Sequence, residues 1–141
     1  MPQSSIEIRT LPGTSVALGS SGPRTVTIDR TKDAGGEGLG FSGGELLLLA
    51  IGGCYSNDIF REASRKRLHV HAVQIHVNAD WGGDPVRAQN VEFSVTVEAD
   101  ASESQIKELI QHTDRVAEIP NSLRLGTKVT LTSATAISRH A

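Results

Sequence analysis

At 141 residues, 38% of them hydrophobic and 21% charged, the chain is sized for one globular domain, 1–141, around a single core. A net charge of −2 with scattered basic residues leaves no electrostatic footprint for nucleic acid, and the longest apolar run, Leu46 to Ile51, is too short to span a bilayer. One cysteine excludes an internal disulfide, and no cysteine and histidine cluster has the spacing of a structural zinc site.

The N-terminal "MPQSSIEIRT" has no basic segment followed by an apolar one, so it does not read as a signal peptide, and a reducing, cytoplasmic location is expected. "SIEIRT", "TSVALGS" and "RTVTIDR" alternate β-branched with small or polar residues between "LPG" and "SSGP", which predicts three antiparallel strands. Residues 31–44 hold six glycines and read as a mobile lid or a dimer arm. The helix after them lacks the lysine and the serine or threonine of a phosphate-binding loop. Ser42 and Glu45 fit a capping box, so a long helix is expected from Gly43 to about Arg67, closing on the positive "RKRL". Its first half is apolar all round, as in a helix buried in a core, and its second half turns amphipathic.

"HVHAVQIHVNADW" and "NVEFSVTVEAD" alternate as two further strands with "GGDPVRAQ" as their hairpin loop. In that alternation His69 and His71 share a face and His76 lies on the other, so a solvated strand face is expected and no metal site. Trp81 is expected to pack on the core. "SESQIKELIQHTDRVAE" predicts a second helix capped by Ser102 or Ser104, with His112 at its surface. Pro120 opens a short helical turn, and "TKVTLTSATAIS" predicts a final strand, with His140 in the tail. The fold class is α+β.

The sole cysteine, Cys54, follows Gly52 and Gly53 in mid-helix. Each glycine costs roughly 1 kcal/mol against alanine there, so the pair marks either a close approach by another backbone or space beside the thiol. A reactive cysteine must be ionised. On the helix its neighbours at three and four residues' spacing include Asn57 and Asp58 but no cation, and Arg61 lies two turns away, about 10 Å by helix rise. Any activating charge must come from elsewhere in the fold or from a second subunit.

The stretch "GGELLLLAIGGCYSNDIFREASRKRL" resembles the signature helix of the OsmC/Ohr family, and the order of elements resembles that family across nearly the whole chain. The resemblance implies antiparallel sheets wrapped around a long buried central helix in an intertwined homodimer, with no cofactor and with sites at the dimer interface. It implies reduction of organic or small hydroperoxides, with Cys54 as the attacking thiol. "AEIPNSL" resembles the family's second motif and sets Ala117 where a resolving cysteine stands, so an external thiol reductant is required. Glu45 lies nine residues before Cys54, where the peroxidase branch has its glutamate ten before, and matches the broader OsmC-like form. Arg30, with Arg24 as second choice, is nominated for the arginine that activates the thiol. The alternative is a non-catalytic dimer of the same fold that binds a small hydrophobic ligand or senses oxidation.

Overall fold

The computed structural model describes residues 1–139; His140 lies outside the described residues. Three short strands, β1 (Glu7–Thr10), β2 (Ala17–Ser21) and β3 (Arg24–Ile28), form an antiparallel sheet in that order. A 3-10 turn at Lys32–Ala34 leads into the long helix α1 (Gly43–Arg65). Strands β4 (His69–Gly82) and β5 (Arg87–Asp100) form an antiparallel hairpin, followed by helices α2 (Glu103–Val116) and α3 (Glu118–Arg124).

The expected capping box starts α1. Ser42 Oγ accepts from the Glu45 amide at 3.2 Å, and Glu45 Oε1 accepts from the Ser42 amide at 2.9 Å, which satisfies two donors that the first turn leaves open. Ser102 and Gln105 repeat the device on α2. Helix α3 begins at Glu118, ahead of Pro120, because Pro120 sits in the first turn, where its missing N–H costs nothing.

Helix α1 lies on one face of the β4–β5 hairpin. That face is built from the facing pairs Val73 and Val97, Ile75 and Val95, and Val77 and Phe93. Tyr55 is fully buried, its ring 5.2 Å from that of Phe93, and its hydroxyl donates to the Ile110 carbonyl at 2.8 Å, tying α1 to α2. Burial and the nearby Asp114 carboxylate push the Tyr55 phenol up to about 12.

Four expectations need correction. The apolar first half of α1 is not the buried half of this chain: Leu49 and Ala50 are exposed, and burial begins at Ile51. The glycine-rich loop is not a free lid. Asp29 is buried and its carboxylate accepts from the amides of Arg30, Glu37 and Leu39, while Phe41 bridges back to Ile28. These amides hold the Asp29 carboxyl below the usual carboxylate range, Leu39 contributing most. Residues 128–137 form no strand within the chain. Finally, a bulge between Val70 and Ala72 shifts the alternation by one residue, so His76 is exposed on the same outer face as His69 and His71.

Candidate functional site

Cys54 sits where α1 meets the start of α3, and its thiol is partly buried. The backbone N–H of Ile119 donates to Sγ at 3.4 Å, and the thiol donates to Asp58 Oδ2 at 3.6 Å. The sulfur thus has a carboxylate on one side and an amide dipole on the other. Desolvation is the largest influence and pushes the thiol above its ordinary value; the Ile119 amide opposes this, and the Asp58 charge adds to it. The chain alone therefore holds Cys54 protonated at neutral pH.

A cation, Arg61, is linked to the sulfur through Asp58. Arg61 Nη1 lies 3.1 Å from Asp58 Oδ1, Arg61 Nε lies 2.9 Å from Glu62 Oε2, and Arg61 Nη1 reaches Glu118 at 3.5 Å. Glu62, buried, also contacts His112 Nε2 at 2.7 Å and Arg65 Nη1 at 3.0 Å. The Arg61 and His112 hydrogen bonds hold the Glu62 carboxyl below its ordinary value. His112 is therefore not a loose surface residue. Positions 58, 61, 62 and 65 already stand at one-turn spacing in the sequence, which is the pattern of a charged helix ladder. Contact with His112 and Glu118 is made only by the fold.

Ala117, the position matched to a resolving cysteine, is fully buried in the same cluster as Tyr55, two residues before the amide that touches Sγ. Position 117, where the resemblance sets a resolving cysteine, thus stands beside the Cys54 site and carries no thiol.

Glu45 and Arg30 come together away from Cys54. They line one cleft of about 740 Å³ with Leu48, Trp81 and Val86, whereas Cys54 lies nine residues along α1 from Glu45, about 13.5 Å by helix rise. Glu45 is engaged in capping, and Arg30 is exposed. Arg24 faces Ser21 on the N-terminal sheet instead. Trp81 is half exposed and closes this cleft against Gly44, where an added Cβ would lie 2.9 Å from the indole; it is not a core residue. Of the two glycines before Cys54 only the first is closely approached, and by side chains rather than by another backbone. Gly52 is buried against Val77, and Gly53 faces open space.

The family model for OsmC-like proteins matches residues 35–132, which includes α1, Cys54 and α3. The chain belongs to the OsmC-like family. Its fold is also that of solved OsmC-like structures. An OsmC-like protein from Mycoplasma pneumoniae superposes with a TM-score of 0.76 at 19% identity, covering 89% of each chain. The organic hydroperoxide resistance protein OhrB of Bacillus subtilis superposes with a TM-score of 0.61 at 12% identity, covering 89% of this chain and 92% of that one. An organic hydroperoxide resistance protein OsmC from Legionella pneumophila gives 0.64 at 12% identity, covering 88% and 90%. No curated protein matches the chain. Among the described residues, no helix of this OsmC-like chain is long and apolar enough to cross a membrane.

Proposed function

We propose that this OsmC-like protein reduces organic or small hydroperoxides through Cys54 alone, as a homodimer, with an external thiol as reductant. The observation that carries the reading is the two-sided polarisation of the sulfur, with Asp58 placed to take its proton and the Ile119 amide placed to donate to the resulting anion. As the thiol proton passes to Asp58, sulfur attacks the distal peroxide oxygen. The S–O bond forms, the O–O bond breaks, and the leaving alkoxide takes the proton from Asp58 to depart as an alcohol. Cys54 is left as a sulfenic acid. With alanine at 117, an external thiol attacks that sulfenic acid and releases water. A second external thiol then displaces Cys54 as a thiol and leaves as a disulfide.

A second copy is supported by what one chain leaves uncovered. Ile6, Ile8 and Leu49 are exposed, and the strand-like residues Val129 and Leu131 are almost fully exposed. Pairing would bury these faces, and it would allow Arg30 and Glu45 of one copy to approach Cys54 of the other. Arg30 then supplies a cation at the sulfur, since Arg61 of the chain's own helix is held by Asp58 and Glu62.

The raised thiol pKa favours a second reading, a non-catalytic dimer that binds a small hydrophobic ligand or senses oxidation. Intact mass spectrometry after equimolar cumene hydroperoxide, with a sulfenic-acid trap present, separates the peroxidase reading from the ligand-binding one, and repeated turnover with excess dithiothreitol separates it from oxidation sensing. The peroxidase reading expects one trapped adduct per chain within seconds, absent from Cys54→Ser. A thiol left unlabelled over an hour overturns it in favour of the binding reading.

A further inference from the structure

The outer face of the β4–β5 hairpin, opposite the face that α1 covers, carries a cluster with no part in the cysteine site. His69 lies directly across the ladder from Asp100. His71 is the extra residue of the bulge between Val70 and Ala72, and has no partner opposite it in the ladder. A bulge re-aims the side chain of its extra residue, and here the His71 ring leans back over the pair, with Nε2 2.8 Å from Asp100 Oδ1. The two imidazoles meet edge to face, centroids 4.6 Å apart. One ligand atom from each of His69, His71 and Asp100 lies within 4.8 Å of the other two.

We infer that His69, His71 and Asp100 form a surface binding site for a first-row divalent transition metal of the zinc class. Two imidazole nitrogens and one carboxylate oxygen are the donor set that borderline ions favour, whereas calcium and magnesium favour oxygens. Metal–ligand bonds of about 2.0–2.1 Å set neighbouring donors about 3.3 Å apart in a tetrahedron. The donors thus need to close by roughly 1.5 Å at most, within reach of rotations of exposed side chains. The two long paired strands hold the backbone beneath them fixed. The ion takes the place of the proton shared between His71 and Asp100. Glu98, opposite Ala72, adds negative charge beside His71 and favours a cation. Three protein donors leave a fourth position open to water or to a donor from another molecule.

The test is calorimetric titration of the tag-free chain with ZnCl2 at pH 7.4, in a buffer that does not chelate and with a phosphine reductant. The expected result is one ion per chain with a micromolar Kd, and no uptake of Mg2+. His69→Ala/His71→Ala should abolish uptake, and Asp100→Asn should weaken it by at least about tenfold, the smallest loss that even an outer-shell partner produces. Because all three residues are exposed, circular dichroism of these variants should match the parent. Cys54→Ser and His76→Gln should bind as the parent does. No uptake below about 100 μM, uptake unchanged by the double variant, or uptake lost with Cys54→Ser would each overturn the assignment.

Discussion

Gly52→Ala tests how α1 is seated, and with it the placement of Cys54. An alanine Cβ at this position would lie 3.1 Å from Val77 Cγ2 and 3.5 Å from Ile75 Cγ2. Carbon atoms prefer about 3.5–4.0 Å, so the Val77 contact is short by at least 0.4 Å while the Ile75 contact is ordinary. Val77 lies within the 14-residue strand β4, paired to Phe93, and its branched side chain is restricted at χ1, so the few tenths of an ångström of relief come from shifting helix against sheet. Overpacking of this kind costs about 2 kcal/mol, and replacing a mid-helix glycine by alanine returns about 1 kcal/mol. The net expectation is destabilisation by about 1 kcal/mol. Val77→Ala removes the methyl at fault. In that background Gly52→Ala should instead stabilise by up to about 1 kcal/mol, a coupling of about 2 kcal/mol between the two positions. Urea unfolding of the four proteins, at one fixed protein concentration, measures it. Effects that add to within about 0.5 kcal/mol would mean that the helix does not rest on Val77, and the account of Gly52 would fail.

Two further outcomes follow from the charges around the thiol. Asp58→Asn removes a charge that opposes ionisation of Cys54 and releases Arg61, so the pH midpoint of iodoacetamide alkylation should move to lower pH than in the parent; an unmoved or raised midpoint would contradict the charge effect of Asp58 on the thiol, which is separate from its proposed part as proton acceptor. Glu62 has a folded pKa below its ordinary 4.5, so its contribution to stability is present above that value and is lost as pH falls through the folded pKa. The stability difference between the parent and Glu62→Gln should therefore shrink as urea denaturation is repeated from pH 6 down to pH 3, and a constant difference would assign the role of Glu62 to shape rather than charge.

Local signals alone determined much of this protein. Alternation of β-branched and polar residues located the five strands of the described residues, and Ser42 with Glu45 located the start of α1, because capping and alternation act over a few residues. The run around Cys54 carried the family. Tertiary structure decided the rest, through contacts distant in sequence. The one-residue bulge after Val70 reversed the face of His76, since a strand's phase depends on its partner and not on its own alternation. Asp29 organises a loop that composition alone had suggested was free, because the adjacent Arg30 amide and those of Glu37 and Leu39, eight and ten residues on, converge on its carboxylate. Residues 128–137 have the composition of a strand, but a strand forms only by pairing, and within this chain they pair with no sheet edge. At Cys54 the sequence named the thiol and its Asp58 neighbour. The Ile119 amide, 65 residues away, and the desolvation that holds the proton on sulfur exist only once α3 has folded against α1.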